Sequence, residues 1–282
     1  MASEHHLITG STRLFAVIGD PVEQVQAPSM MNALFVRLGI DAVLVPVHAT
    51  PARLATVVRG LQSAGNVDGL LVTVPHKGAV LDLADEVSPT AALSNGANAM
   101  RRAPDGRWQA DNFDGEGFVR GLRAAGHEPA GRHVWLVGAG GAGSAIAVSL
   151  LSAGADLTVT DRDEHRVRAL AERLSPRFPG RLRGAAGPVT ADLAVNATPL
   201  GMRPEDPLPF DPAFLPGSAV VADIVMKPRR TALLRTAEEH GLAVHYGAAM
   251  LTHQLDLYVD FFGLGRRPAR PGHEVRRQRS GA

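Results

Sequence analysis

The chain is predicted to be an α/β protein of two units, an N-terminal α/β unit followed by a nucleotide-binding α/β unit. Three observations predict it. Short apolar runs of β type alternate with helix-type runs along most of the 282 residues, the pattern of mostly parallel sheets. A glycine-rich turn, Gly138-Ala-Gly-Gly-Ala-Gly143, stands between a strand-type run and a helix-type run, which is how a dinucleotide-binding domain opens. A composition of 45% hydrophobic and 20% charged residues provides a core of ordinary globular size.

The elements follow in order. Leu14-Phe-Ala-Val-Ile, Ala42-Val-Leu-Val-Pro-Val and Leu70-Leu-Val-Thr-Val are apolar runs of strand length with helical segments between them. Residues 134–155 carry no charge, long enough on hydropathy alone to raise a membrane span. Glycines divide the stretch instead into the strand Val134-Trp-Leu-Val, the glycine turn and a small-residue helix over 144–153. Leu157-Thr-Val-Thr, Asp192-Leu-Ala-Val and Ala219-Val-Val-Ala are the strands that follow. The boundary is expected near Asp114, giving units 1–113 and 114–246. The last helix, about 250–262, lies in a closing segment 247–265. Residues 266–282 are rich in Arg, Pro and Gly without apolar periodicity, the composition of a flexible tail.

Composition narrows the function. A net charge of +1 with no concentrated basic face gives no electrostatic reason to expect nucleic acid. The absence of Cys excludes disulfides, thiolate metal sites and a cysteine nucleophile. The eleven histidines show no spacing that suggests a metal. The start has neither a basic nor an apolar region of the secretory kind, so a cytoplasmic location is expected.

Lysine usage points to chemistry. Only Lys77 and Lys227 are lysines in an arginine-biased chain, and Lys77 directly follows the strand-like run that begins at Gly69. Arginine stays charged and serves as a clamp, whereas a partly desolvated lysine can transfer a proton near neutral pH. Strand ends are where sites gather in α/β folds. A solvated surface lysine is the alternative.

The cofactor signal rests on spacing. Gly138 permits the tight turn, Gly140 a close approach of pyrophosphate, and Gly143 close packing of helix on strand, while Ala139, Gly141 and Ala142 complete the turn. Asp161, at the end of Leu157-Thr-Val-Thr-Asp161, stands where an acid binds the adenosine ribose. It favours NAD by repelling a 2′-phosphate. The adjacent Arg162 leaves NADP open, because it offers that phosphate a partner.

Several further motifs line up: Gly19-Asp-Pro-Val with Pro28 and Asn32, Val72-Thr-Val-Pro-His-Lys77, Asn98, Asp111-Asn-Phe-Asp-Gly115, Asn196-Ala-Thr-Pro-Leu-Gly-Met202, Asp223 with Pro228, and Gly247-Ala-Ala-Met-Leu-Thr-His-Gln254. In this order and spacing the chain resembles the shikimate dehydrogenase family, which includes quinate dehydrogenases, over residues 15–262. The resemblance implies a substrate domain, a Rossmann domain that binds NAD or NADP, and a C-terminal helix that returns to the first domain. It further implies Lys77 and Asp114 as the catalytic pair, with Thr73, Asn98 and Gln254 on the ring hydroxyls of a polyol. Asn196, Thr198, Met202 and Gly247 would border the cofactor. Taken alone, Asp114 also suits a helix N-cap before Gly115, and Met202, Met226 and Met250 suit core packing. His76 adjoins Lys77 and either tunes it or faces solvent.

The departures from the family carry the most information. Where the family presents two serines and a tyrosine to a substrate carboxylate, this chain has Val25, Ala27 and Met226. A carboxylate there would lose its charge-assisted donors, a cost on the order of several kcal/mol. Alternation along an extended segment would turn Gln24 and Gln26 away, leaving a changed backbone path or Ser29 as the remaining source of an anion site. Leu71, Ala99 and Phe113 replace the usual Asn, Thr and Thr, which makes the pocket drier or smaller. The expectation is an oxidoreductase for a hydroxylated ring or polyol whose carboxylate is absent, masked or held differently, in a monomer or homodimer with no nucleic-acid or membrane partner. A catalytically silent dinucleotide sensor on the same fold is the alternative from another class.

Overall fold

The computed structural model describes residues 8–265; the arginine-rich segment expected as a tail lies outside the described residues. Two six-stranded sheets organise the chain. The first contains β1 (Arg13–Gly19), β2 (Ala42–His48), β3 (Val67–Val72), β4 (Glu86–Val87), β5 (Ala99–Arg102) and β6 (Trp108–Asp111), in the spatial order β2-β1-β3-β5-β6-β4. Helices α1 (Ala27–Leu38), α2 (Leu54–Ser63) and α3 (Pro89–Ser94) connect them. Strand β1 runs parallel to β2 and β3, but β5 is antiparallel to both β3 and β6. The sheet is therefore mixed where a mostly parallel one was expected. A five-residue connection, 103–107, with Gly106 at φ 88° joins β5 to β6, and so short a link joins only antiparallel strands.

Alternation along β1 buries both faces. Ala16 and Ile18 enter one core cluster with Leu70 and Val72, while Phe15 and Val17 enter another with Phe35 and Leu71, as the two-residue period of a strand requires. Helix α1 starts with a proline in its first turn and ends at Gly39, φ 64°, the usual asymmetry of helix ends. Asn32 clamps α1 to β2 by exchanging two hydrogen bonds, 3.0 and 2.8 Å, with the backbone of Leu44.

Helix α4 (Asp114–Ala124) leads into the second sheet, formed by β7 (His133–Val137), β8 (Asp156–Thr160), β9 (Leu182–Gly184), β10 (Leu193–Asn196), β11 (Val220–Asp223) and β12 (Ala243–Tyr246). All its pairings are parallel, in the order β12-β11-β10-β7-β8-β9. This is the doubly wound dinucleotide-binding order, with the reversal between β7 and β10. Helices α5 (Gly141–Ser152), α6 (Glu164–Leu174) and α7 (Ala232–Glu239) link these strands, and α8 (Ala248–Phe261) closes the chain. Among the described residues no helix is long and apolar enough to cross a membrane.

Helix α4 is wedged between α5 and α8, and glycine allows it. A Cβ on Gly115 would lie 2.0 Å from the Ala145 carbonyl oxygen of α5, and one on Gly117 would lie 2.7 Å from the Met250 carbonyl oxygen of α8. Helix α8 carries the chain back to the first sheet, where Tyr258, Phe262 and Leu264 complete the cluster around Phe15, Val17 and Leu71.

Candidate active site

A cavity of about 120 Å³ opens beyond the carboxyl ends of β1 and β3. Strand β3 stops at Val72, so Thr73 and Val74, expected within the strand, belong instead with Lys77 to the turn that follows. Turn residues are free to aim side chains off the sheet, and Lys77 and Thr73 both line the cavity. Lys77 Nζ donates to Asp114 Oδ2, with side chains only 14% and 5% exposed. The other oxygen, Oδ1, accepts from Asn98 Nδ2 at 2.9 Å and from Gln254 Nε2 at 3.2 Å. Three residues, from β3's turn, β5's approach and α8, thus meet on the one carboxylate that α4 supplies.

Asp114 is not a helix cap. Phe113 occupies the cap position, Asp114 is the first helical residue, and its own N–H is satisfied by Asn112 Oδ1 at 3.1 Å. That arrangement leaves the Asp114 carboxylate for side-chain partners. His76 does not face solvent: it is 1% exposed, with Nε2 2.6 Å from the Ala49 carbonyl oxygen.

Much of the remaining lining is apolar. Val25, Ala27 and Met226 line the same cavity as Lys77, joined by Val17, Leu71 and Leu251. Gln26 lines it too, against the expectation from alternation. The segment is not extended there: Gln26 caps α1 with helical angles, φ −100° and ψ −15°, which breaks the two-residue period. Gln24 does point away, its amide donating to the Pro21 carbonyl at 2.9 Å. Ser29 is committed to the Gln26 carbonyl at 2.8 Å and lies exposed, so it supplies no anion donor. Beside Val25, Ala27 and Met226 the lining therefore offers one neutral amide, that of Gln26, where a carboxylate would need charge-assisted donors.

Beside the cavity, the glycine turn joins β7 to α5. Gly138 has φ 108°, and a Cβ there would come within 2.9 Å of the Ala197 backbone. A Cβ on Gly143 would lie 1.9 Å from the Gly138 carbonyl oxygen. At Gly140 and Gly141 a Cβ would instead meet only ordinary contacts, Arg166 Nη1 at 3.9 Å and Lys77 Cδ at 3.8 Å respectively. Ala142 and Gly143 continue into the first turn of α5, whose free N–H groups suit a phosphate. The residues present fit a dinucleotide, and the contact of Gly141 with Lys77 sets one end of that site against the cavity.

Asp161 has backbone partners on both oxygens: the Ala139 N–H at 2.7 Å and the Asp163 N–H at 2.9 Å. It braces the end of β8 against the turn, and a ribose would share the carboxylate with those donors. Arg162 is exposed beside it. Arg166, on the first turns of α6, escaped the sequence reading although it reaches the turn. Its signal was the spacing, four residues beyond Arg162 on a helix.

Asn196 is fully buried; its amide donates to Asp223 Oδ1 at 3.0 Å and its carbonyl oxygen accepts from Thr198 Oγ1 at 2.7 Å. Asp223 also takes the Thr231 hydroxyl at 2.7 Å and the Val225 N–H at 3.0 Å, and burial pushes its carboxyl up from the usual range. These residues knot the ends of β10 and β11 together. Gly247 packs on that knot, since a Cβ would sit 2.6 Å from the Ile224 carbonyl. Met202 is 52% exposed and lies away from the cavity lining, which Met226 and Met250 join. Tyr258, also in the lining, was absent from the sequence candidates; one helical turn beyond Gln254, it was the available clue. A second hollow, lined by His133, Asp156, Arg181 and Arg183, lies at the amino ends of β7 and β8, away from all of these residues.

Comparison with known proteins gives a consistent picture. The family described as the shikimate dehydrogenase substrate binding domain matches residues 17–100. The shikimate dehydrogenase (NADP(+)) of Rubrobacter xylanophilus is 42% identical over 257 residues, covering 88% of this chain and 89% of that protein. Among solved structures, shikimate dehydrogenase from Aquifex aeolicus has a TM-score of 0.84 at 29% identity, covering 93% of this chain and 96% of that one. The ligand-free 5-ketofructose reductase of a Gluconobacter strain has a TM-score of 0.82 at 29% identity, covering 92% and 95%.

Proposed function

Because this chain belongs to the shikimate dehydrogenase family, we propose that it is an NAD(P)-dependent dehydrogenase for a hydroxylated ring or polyol lacking a free carboxylate. The observation that carries the proposal is a cavity with a lining of two kinds. Lys77 and Asp114 meet on it, and Val25, Ala27 and Met226 line the same cavity. A carboxylate pressed against three apolar side chains would be desolvated without compensation. Hydroxyls and carbonyls, by contrast, find Thr73, Asn98, Gln254 and Gln26 on the lining. The likeness to a protein named 5-ketofructose reductase supports this choice, since that name describes a carboxyl-free polyol substrate.

Bound along the glycine turn, NAD(P) supplies the hydride acceptor. Lys77 takes the proton of the reacting hydroxyl and returns it in the reducing direction. Asp114 orients the Lys77 amine through Oδ2, while the amides of Asn98 and Gln254 fix the carboxylate through Oδ1. Arg162 and Arg166 give the adenosine end positive charge beside Asp161 and Asp163, so both NAD and NADP belong in the test.

The test is initial-rate nicotinamide reduction with shikimate, quinate, their esters and amides, and carboxyl-free cyclitols and ketoses, using each cofactor. Turnover of a carboxyl-free or masked ring well above shikimate is expected. Lys77→Ala should lower kcat by roughly 10²- to 10⁴-fold, the range for loss of a general acid–base group, with cofactor affinity unchanged. Shikimate turnover at micromolar KM would overturn the substrate proposal. Silence on every substrate, with cofactor binding intact, would favour a dinucleotide sensor.

A further inference from the structure

Tyr258 lies in α8 one turn beyond Gln254, and only 3% of it is exposed. Its hydroxyl donates to Gln254 Oε1 at 2.7 Å and accepts from Asn98 Nδ2 at 3.0 Å. Together with the two amide bonds to Asp114 Oδ1, at 2.9 and 3.2 Å, these contacts close a ring of four side chains. The donor directions in the ring are fixed from outside. The Phe113 N–H donates to Asn98 Oδ1 at 2.9 Å, so that oxygen is the acceptor and Nδ2 must face Tyr258 and Asp114. The tyrosine, having accepted from Asn98, has its one proton left for Gln254 Oε1. Gln254 is thereby turned so that its NH₂ faces the carboxylate.

We infer that Tyr258 is a positioning residue, which sets the orientation of the Gln254 amide and so holds Asp114 in place against Lys77. A glutamine amide is nearly symmetric in shape, and without a donor on Oε1 it would be as well packed when flipped. Flipped, its oxygen would face the Asp114 carboxylate and repel it. The tyrosine is suited to the task. Its ring is wedged edge-on against Phe113, centroids 5.7 Å apart at 90°, and tilted against Phe262 at 6.1 Å. Burial and the nearby Asp114 charge push its phenol well up, so the hydroxyl keeps its proton at every working pH. Phe113 and Leu71 belong to the same cluster. They stand where the related sequences were expected to carry polar side chains, and the hydroxyl of Tyr258 provides the polar contact that these positions do not.

This inference rests on the proposed dehydrogenase activity for its kinetic arm alone. Tyr258→Phe keeps the ring and removes the hydroxyl. It should reduce kcat/KM for the alcohol about tenfold, the effect of one lost hydrogen bond near 1.4 kcal/mol, with the KM for the nicotinamide cofactor unchanged. In a Gln254→Ala background the same change should cost less than about twofold, because the residue through which it acts is gone. A purely structural tyrosine would cost the same in both backgrounds, and that result would overturn the inference.

A second measurement needs no turnover. The chain has six glutamines, so selective ¹⁵N-glutamine labelling gives a side-chain amide spectrum that the Gln254→Ala variant assigns. The Gln254 amide pair should be protected from solvent exchange in the parent and lose that protection in Tyr258→Phe. Unchanged protection in the variant would overturn the inference. Absence of parent turnover with loss of protection in the variant would instead sink the dehydrogenase proposal and leave the ring of side chains standing.

Discussion

The three apolar residues Val25, Ala27 and Met226 in the cavity lining make a residue-scale claim that is reversible. Val25→Ser, Ala27→Ser and Met226→Tyr together should restore hydroxyl donors at those positions. Each charge-assisted bond contributes on the order of 1.5–3 kcal/mol. With part of that lost to imperfect geometry, the triple variant should raise kcat/KM for shikimate by about 10- to 100-fold, chiefly through KM. Steady-state kinetics on parent and variant checks this, and an unchanged KM would mean that the substrate sits elsewhere. Why these residues were legible in the sequence, and Tyr258 was not, has a physical cause. Val25, Ala27 and Met226 were conspicuous as apolar side chains at positions where a resemblance called for hydroxyls. Tyr258 became visible only once α8 had folded back, because its partner Asn98 is 160 residues away in sequence and the Gln254 amide that it holds is turned toward Asp114 of α4. Gln26 was misjudged for a related reason: the alternation rule presumes extended backbone, and the helix had already begun there.

At the scale of elements, β12 and the helices it supports place a histidine in a site built for a neutral ring. His245 is 4% exposed, edge-on to Phe118 of α4, with centroids 5.9 Å apart. Its Nε2 has no hydrogen-bond partner. Burial first, then the charges of His127 and His253, lower its pKa from 6.5 to about 4. The fold therefore prefers the uncharged ring, whereas the unfolded chain takes up a proton as pH falls through 6.5. Stability from this residue is complete above that pH and is lost as pH falls toward 4, by an amount on the order of 2–3 kcal/mol. His245→Leu removes both the titration and the unpaired nitrogen. Denaturant midpoints should accordingly fall less steeply for the variant than for the parent between pH 6.5 and 4, with the two within about 1 kcal/mol at pH 7. Equal slopes would show that the ring is solvated. Strands such as β1, β7, β10 and β11 were readable because burial on both faces imposes a run of apolar side chains. The short strands β4, β5, β6, β9 and β12 carry polar or half-exposed residues among their two to four positions, which leaves too few to show a period. The mixed sheet followed from missing them.

At the scale of the molecule, the first sheet is not closed by its own stretch of sequence. The ring of Phe262, just past α8, occupies the space over Gly69 of β3: a Cβ on that glycine would lie 2.4 Å from Phe262 Cε1 and 2.9 Å from Phe15 Cδ1. The same ring lies 5.1 Å from that of Phe15 and 5.2 Å from that of Phe261. The glycine exists in the strand interior because a residue from near the far end of the chain needs the room. The first and last segments therefore share a core, and α4 and α8, packed through Gly117, lie between that core and the dinucleotide-binding sheet. Removing one large ring from such a joint should be felt across both sheets. Phe262→Ala is expected to cost about 3–5 kcal/mol and to shift a single cooperative unfolding transition without splitting it, read by fluorescence and by circular dichroism in the same titration. The two tryptophans, Trp108 in β6 and Trp135 in β7, report one sheet each. Replacing either tryptophan in turn by Phe leaves a probe of one sheet alone. Coincident transitions from the two probes in the Phe262→Ala background would show that the C-terminal helix binds the sheets into one folding unit. Separate midpoints would mean that the second sheet holds its fold while the first, deprived of Phe262, has opened.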